Sequence, residues 1–288
     1  MSTDLVRWRL DVAYDGTGFS GWAAQPGQRS VEGELGDWIA RVLRTDEQPR
    51  LTCAGRTDSG VHARGQVVHV DLPALSPTGR AGLQDTGLVL ARRLPRALPD
   101  DLAVRRVTRA PQGFDARFSA IWRRYVYRLW DAPEDLDPLR RHHIVRHPEA
   151  LEVSLLAQAG TDLLGLHDFA AFCKRRDGAT TIRTLQRVTA VRQPDRTIEV
   201  TVQADAFCHS MVRSLVGALT AVAAGRRDRK WLRRLITLDE RAGEVAVLPA
   251  HGLTLEEVGY PADSGLASRA AEARATRTLE EDEEDEEA

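Results

Sequence analysis

The sequence predicts an α/β fold of the α+β type, in which two related lobes with largely antiparallel mixed sheets flank a basic cleft. Three observations support this fold class: strand and helix patterns occur in both halves, 42% of the 288 residues are apolar, and a polar stretch separates the halves. A chain of this length buries a substantial core. We predict an N-terminal lobe, a crossover, a C-terminal lobe and a disordered acidic tail, over residues 1–130, 131–148, 149–265 and 266–288.

The N-terminal half begins with a predicted strand that ends at the turn Asp15-Gly16. Apolar residues alternate along this strand, at Val6, Trp8, Leu10, Val12 and Tyr14. After a glycine-rich loop over residues 16–27, Ser30 is the predicted N-cap of a helix with the apolar stripe Val31, Leu35, Trp38, Ile39 and Val42. We predict further strands over residues 51–54, 66–72, 101–108 and 122–130, and a helix over 83–94.

The C-terminal half repeats this mixture of elements. A helix is predicted over residues 148–164, and strands over 185–191 and 197–204. Apolar residues at helical spacing predict a long helix, marked by Met211, Leu215, Leu219 and Val222, and a shorter helix is predicted over 231–236. Since both halves combine strands with helices, we expect ligands to bind in the cleft between them.

The formal net charge of −2 is a sum over two unlike parts. Residues 280–287 are eight consecutive acids, whereas residues 1–279 carry 40 basic and 34 acidic residues, a net of +6. The acidic run repels itself and buries no apolar surface, so the tail is predicted to be disordered. Of the basic residues 38 are arginines, which reflects either biased codon usage or the fit of guanidinium groups to phosphates and bases.

Several classes of protein do not fit the sequence. The N-terminus lacks the apolar segment of a secretion signal, and the longest uncharged apolar stretch, residues 214–225, is shorter than the roughly 20 residues that span a bilayer. We therefore expect a soluble cytoplasmic protein without membrane contact. Cys53, Cys173 and Cys208 are widely spaced and form no CxxC pair, so we expect neither a disulfide framework nor a zinc site.

The loop over residues 55–65 is the most unusual segment of the chain. Its glycines allow a tight turn between two strands that displays Arg56, Thr57, Asp58 and His62, which is typical of an active site. Spacing alone leaves two alternatives open. The loop is also compatible with a structural turn in which Asp58 pairs with Arg56, or with a metal site formed by Asp58, His62 and His69.

Residues 116–130 combine four arginines and five aromatic residues with no acid. Guanidinium groups neutralise phosphate and aromatic rings stack on unpaired bases, so the segment predicts an RNA-binding strand in which Arg124 and Tyr125 contact the substrate. The alternative is a strand whose aromatic residues fill the core. Arg213, at the start of the long apolar helix, is either a solvated charge or a cation held for an anionic partner.

Together these segments resemble the TruA family of tRNA pseudouridine synthases from Tyr14 to Pro261. The most specific motif is Gly55-Arg-Thr-Asp-Ser-Gly-Val-His62, followed by Gly65-Gln-Val-Val-His69. Supporting motifs occur in the family's order: Tyr14-Asp-Gly-Thr-Gly-Phe-Ser-Gly-Trp22, Phe114-Asp-Ala-Arg-Phe-Ser-Ala120, Arg123-Arg-Tyr-Val-Tyr127, His167-Asp-Phe-Ala-Ala-Phe172, Phe207-Cys-His-Ser-Met-Val-Arg213 and Gly252-Leu-Thr-Leu255. The fold that this resemblance implies is the pseudouridine synthase fold.

The resemblance also implies roles for five residues. Asp58 matches the family's nucleophile, Arg213 its ion-pair partner, and Arg56 the basic residue that helps to hold the flipped nucleotide. Tyr125 matches the aromatic residue that stacks on the target base, and Leu253 an apolar wall of the pocket. The sequence departs from the family at Ser59, where alanine is common, and before Leu94-Pro95, where the family's asparagine is absent.

The implied reaction converts uridine to pseudouridine at positions 38 to 40 in the anticodon arm of tRNA. It breaks the N1–C1′ bond and joins C5 to C1′ without redox change or an energy source, so no cofactor and no metal are expected. Attack by Asp58 at C1′, addition at C6 and a glycal route all remain open. The family acts as a homodimer, and we expect the same here. The alternatives are a non-catalytic RNA-binding protein and a metal-dependent hydrolase.

Overall fold

The computed structural model of the chain describes residues 5–77, 83–134, 136–174 and 180–275. The helices are α1 (Val31–Leu43), α2 (Thr86–Ala97), α3 (Val153–Thr161), α4 (Met211–Ala223), α5 (Arg229–Leu235) and α6 (Leu266–Glu272). The strands are β1 (Leu5–Tyr14), β2 (Leu51–Cys53), β3 (His62–Pro73), β4 (Leu75–Pro77), β5 (Leu83–Asp85), β6 (Leu102–Arg109), β7 (Trp122–Trp130), β8 (Val145–Arg146), β9 (Gly165–Asp168), β10 (Ile182–Arg192), β11 (Ile198–Ala204) and β12 (Leu253–Gly259). No helix within these ranges has the length and apolar character to cross a membrane.

One mixed sheet runs through both halves of the chain. Its main path is β6-β1-β3-β12-β7-β11-β10-β9, with β2 paired to β3 and β8 paired to β7, while β4 and β5 form a separate pair. Most neighbours are antiparallel, and the parallel pairs are β12 with β3 and β7 with β8. The predicted mixed and largely antiparallel α/β fold is therefore confirmed. The division into lobes at residues 131–148 stays a prediction.

The last strand, β12, joins the two halves at the centre of the sheet. It pairs in parallel with β3 at Thr254↔His62 and Leu255↔Ala63, and antiparallel with β7 from Leu253↔Tyr127 to Gly259↔Trp122. The approach to β3 is close, because a Cβ atom on Gly65 would lie 2.1 Å from the carbonyl oxygen of Glu256. The sequence patterns did not predict this strand.

The predicted elements of the N-terminal half form for the expected reasons. The alternating apolar residues of β1 from Trp8 to Tyr14 are buried, and the Ser30 side chain accepts a hydrogen bond from the Gly33 N–H at the start of α1. Helix α2 packs so closely on the sheet that a Cβ on Gly87 would lie 2.1 Å from the Trp8 ring. Only glycine allows this approach without displacing the indole.

Helix α4 is the buried helix of the C-terminal half. Leu215 and Leu219 are at most 1% exposed, and burial of each leucine stabilises the fold by about 1.5–3 kcal/mol. A Cβ on Gly217 would lie 2.0 Å from the Ala246 carbonyl oxygen, so the chain after α5 crosses directly over the helix. This packing fixes the direction of α4, whose N-terminus faces the cleft.

Two predictions about the C-terminal half are wrong. Cys173 and Cys208 form a disulfide with Cα atoms 5.8 Å apart, because the antiparallel β10–β11 hairpin brings together the segments that flank it. The tail does not begin at Leu266, since α6 buries Leu266 and Ala270. The Ser119 hydroxyl also donates to the Leu266 carbonyl at 3.0 Å. The acidic run at 280–287 lies outside the described residues.

Candidate active site

Asp58 lies in the loop between β2 and β3, and the glycine-rich loop over residues 16–27 holds its backbone. The Trp22 N–H donates to the Thr57 carbonyl at 3.0 Å, and the Gly60 N–H donates to the Phe19 carbonyl at 3.3 Å. The Thr57 hydroxyl is bonded to the buried Tyr14 hydroxyl at 2.8 Å. These contacts leave the Asp58 side chain directed into the cleft with 27% of its surface exposed.

Two glycines allow the glycine-rich loop to lie against the loop that carries Asp58. A Cβ on Gly16 would lie 2.1 Å from the Val61 carbonyl oxygen. Gly21 has a φ of +97°, and its Cβ would lie 2.9 Å from the Thr57 carbonyl oxygen. Both positions therefore need glycine, which explains why this segment accompanies the active-site motif in the sequence.

The two histidines near Asp58 in the sequence make structural hydrogen bonds. His62 Nδ1 accepts from the Gly16 N–H at 2.9 Å, which places the proton on Nε2 for donation to the His251 carbonyl at 3.0 Å. His69 Nδ1 accepts from the Ala116 N–H at 2.9 Å, and burial lowers the pKa of His69. Within the described ranges, no group of three metal-ligating side chains is brought together.

The segment that leads into α4, together with the first turn of α4, supplies three polar contacts to the Asp58 carboxylate. Arg213 Nη1 lies 3.6 Å from Oδ2, and the Ser210 hydroxyl donates to the same oxygen at 3.5 Å. His209 Nε2 lies 3.3 Å from Oδ1. Arg213 is fixed by its Nε–H, which donates to the Leu248 carbonyl at 2.6 Å. The Asp58 carboxylate therefore lies beside a guanidinium, a hydroxyl and an imidazole at the N-terminal end of α4.

Tyr125 and Leu253 form an apolar wall of the same cleft. Tyr125 lies on β7, is 6% exposed and packs edge to face against Phe207, with the ring centroids 5.1 Å apart. Burial raises the pKa of the Tyr125 phenol far above its ordinary value, so the hydroxyl is protonated at neutral pH. Leu253 begins β12 and is 5% exposed. This wall suits stacking on a base.

The cleft has a volume of about 750 Å³ and carries more arginines than acids. Arg123 is buried and donates to the carbonyls of Ala54, Arg117 and Asp205, which ties together three loops of the rim. Arg56 is exposed. Among the described lining residues, the arginines are Arg50, Arg56, Arg117, Arg123, Arg183, Arg213, Arg269 and Arg274, and the acids are Glu32, Asp58, Asp115 and Asp205. The cleft therefore suits a polyanion.

The structure does not bring Arg124 into this cluster. Successive side chains of β7 point to opposite faces of the sheet, so Arg124 and Arg128 lie on the face opposite Tyr125. Arg124 is ion-paired with Glu257, and the buried Arg128 is bonded to Glu199 at 2.9 Å and to Glu256 at 2.8 Å. The basic face of β7 is thus neutralised by acids of β11 and β12.

Two further motifs serve the fold around the cleft. Asp115 accepts from the backbone N–H groups of Arg117 and Phe118, both at 2.9 Å, and pairs with Arg274 at 3.2 Å beyond the end of α6. The Ser59 hydroxyl donates to the Phe19 carbonyl at 3.2 Å, so this departure from the family pattern adds a bond between the two loops.

The sequence reasoning missed His209 and Ser210 as parts of the site. They lie within the motif that ends at Arg213, but the sequence does not show that their side chains point toward Asp58. Ser210 has a φ of +64°, an uncommon left-handed conformation for serine, and its side chain does not cap α4. This backbone turn directs the Ser210 hydroxyl toward Asp58.

The chain is similar to known tRNA pseudouridine synthases over nearly its full length. A family model described as tRNA pseudouridine synthase matches residues 159–261, which indicates the pseudouridine synthase class of isomerases. Proteins named tRNA pseudouridine synthase A from Cutibacterium acnes and Frankia casuarinae are 59% and 53% identical, covering 95% and 96% of this chain and 96% and 97% of their own lengths. That from Streptomyces avermitilis is 53% identical over 96% of this chain and 95% of its own. The chain belongs to the TruA family of tRNA pseudouridine synthases.

Proposed function

We propose that this protein isomerises uridines at positions 38 to 40 in the anticodon arm of tRNA, with Asp58 as the nucleophile. The observation that carries the proposal is a half-buried carboxylate, paired with Arg213 at 3.6 Å, that faces an aromatic wall inside an arginine-lined cleft. A protein that only bound RNA would gain nothing from a negative charge at this point, since it would repel phosphate.

The proposed chemistry needs an ionised carboxylate and a place to hold the detached base. Arg213, a cation in the first turn of α4, lies 3.6 Å from Asp58 and can pair with the ionised carboxylate. The N1–C1′ bond breaks, C5 bonds to C1′, the C5 proton is lost and N1 gains a proton, so the product is an isomer of the substrate. Attack at C1′, addition at C6 and the glycal route all satisfy this balance.

Tyr125 is proposed to stack on the uracil ring while the detached base rotates. Its ring lines the cleft, and the raised pKa of its phenol disfavours a role as a base at neutral pH. Leu253 would support the opposite edge of the base, and Arg56 at the exposed rim would hold the phosphate of the flipped nucleotide. Arg124 is not part of this proposed substrate contact.

The arginines of the cleft supply attraction to the tRNA backbone that does not depend on sequence. A target uridine must leave its stack to reach Asp58, and the cost of a few kcal/mol is lower near a loop than inside a duplex. The anticodon arm offers this combination of a phosphate-rich stem and a nearby loop. Following the family, we also propose a cytoplasmic homodimer in which one tRNA spans both subunits.

The direct test is to incubate purified protein with unmodified tRNA and map the pseudouridines. We expect product at positions 38 to 40, abolished by Asp58→Asn while tRNA binding stays within a few-fold. Retained turnover in Asp58→Asn would refute the nucleophile assignment. Binding without product in the wild-type protein would favour the non-catalytic alternative, and light scattering of the complex measures the subunit number.

A further inference from the structure

We propose that His209 is a positioning residue that sets the orientation of the Asp58 carboxylate. The inference rests on the proposed role of Asp58 as nucleophile. His209 precedes α4 and contacts Asp58 across 151 positions of sequence, with Nε2 3.3 Å from Oδ1. It is not part of the predicted site, and its imidazole is about one quarter exposed, so it faces the cleft.

The polar contacts to Asp58 are divided between its two oxygens. His209 contacts Oδ1, whereas Ser210 and Arg213 contact Oδ2 at 3.5 and 3.6 Å. The terminal torsion of an aspartate is intrinsically broad, so a carboxylate held at one oxygen can still rotate. Donors at both oxygens define its plane. Catalytic hydrogen bonds in unliganded enzymes are often long and become shorter in the complex with substrate.

His209 lies on a segment, residues 207–210, that other parts of the chain hold in place. Its neighbour Cys208 is joined to Cys173 by a disulfide, and the Lys174 N–H donates to the His209 carbonyl at 3.1 Å. On the other side, the strained φ of +64° at Ser210 fixes the turn into α4. The backbone that carries the imidazole is therefore anchored on both sides of His209, as a positioning role requires.

Phe207 extends this arrangement to the stacking residue. It packs edge to face on Tyr125, and it lies two positions before His209 on the same anchored segment. One segment therefore sets both the carboxylate, through His209, and the aromatic wall, through Phe207. A displacement of His209 would move the attacking oxygen relative to a base stacked on Tyr125, and a displacement of about 1 Å costs about 100-fold in rate.

The test compares three substitutions at His209. His209→Gln keeps an N–H donor near the position of Nε2, His209→Ala removes it, and His209→Phe keeps the ring volume without a donor. We expect the single-turnover rate to fall by about 10- to 100-fold in the alanine and phenylalanine variants and by no more than about three-fold in the glutamine variant. The tRNA dissociation constant should stay within two-fold in all three. His147→Ala, which alters a partly buried histidine bonded to the Glu149 backbone carbonyl, is the matched control and should leave the rate unchanged.

The outcomes separate this inference from the proposed function. A wild-type rate in His209→Ala would overturn the positioning role, as would an equal loss in the glutamine, alanine and phenylalanine variants with a matching fall in thermal stability. Asp58→Asn in the same assay tests the function itself. If it is inactive while His209→Ala is fully active, only the His209 role fails, whereas turnover by Asp58→Asn overturns both.

Discussion

Arg56 and Arg124 offer a matched pair of substitutions that tests where RNA meets this protein. Each arginine is close in sequence to a predicted site residue: Arg56 lies two positions before Asp58, and Arg124 lies next to Tyr125 on β7. Arg56 is exposed and lines the cleft, whereas Arg124 is ion-paired with Glu257 on the opposite face of β7. Arg56→Gln should therefore remove a phosphate contact, and Arg124→Gln should not. The two variants differ from the wild type by the same loss of one positive charge.

The magnitude follows from counterion release. Each phosphate contact contributes about 0.7–0.9 to the slope of log affinity against log salt concentration. Loss of one contact at Arg56 reduces the slope by that amount. An increase in salt from 50 to 200 mM should then weaken tRNA binding by a factor that is about three-fold smaller in Arg56→Gln than in the wild type. For Arg124→Gln we expect an unchanged slope and a loss of under about 1 kcal/mol of stability from its partly exposed ion pair.

The assay is filter binding of tRNA at a series of salt concentrations, with urea unfolding of each variant as a control for folding. Equal changes of slope in the two variants would refute the placement of Arg124 outside the RNA contact. An unchanged slope in Arg56→Gln would instead show that Arg56 does not contact phosphate.

Three further predictions concern the aromatic wall, the buried ion network and the tail. Tyr125→Phe should keep tRNA affinity and turnover within a few-fold, because the ring remains; a loss of rate above 100-fold would assign its hydroxyl to proton transfer. Arg128→Ala should cost about 1.5–3 kcal/mol in urea unfolding, since it removes the buried partner of Glu256 and Glu199 while Arg64 still lies 3.5 Å from Glu256, and a cost below about 1 kcal/mol would contradict a buried network. Deletion of residues 280–287 removes eight negative charges and should tighten tRNA binding at low salt, with the difference shrinking as salt screens the charges; unchanged affinity would rule out competition with RNA.

Local patterns in the sequence predicted the elements that local physics controls. Alternation along β1 and β7 and the Ser30 cap of α1 correspond to the observed strands and helix. The patterns failed where partners come from far along the chain. β12 gains its stability from insertion between β3 and β7, which lie far away in the sequence.

The same missing strand explains the misplaced RNA contact. Arginines alternating with aromatic residues on β7 are typical of an RNA-binding strand, but their partners Glu256 and Glu257 lie on β12. Asp58 and Arg213 are separated by 155 positions, and residue patterns alone left each with two or more explanations. The family motif supplied that pairing, and the fold added His209 and Ser210, whose direction depends on a single backbone turn.

The insertion of β12 between β3 and β7 also decides which partner must change shape on binding. Asp58 precedes β3, Tyr125 lies on β7 and Leu253 begins β12, so three adjacent strands of one sheet support the proposed site residues. A hinge between the two halves would have to break backbone hydrogen bonds directly beneath them. We therefore expect the proposed site to be assembled before RNA binds, so that the RNA changes conformation more than the protein does. The choice among the uridines of a tRNA would then depend on the free energy needed to unstack each of them from its neighbouring bases.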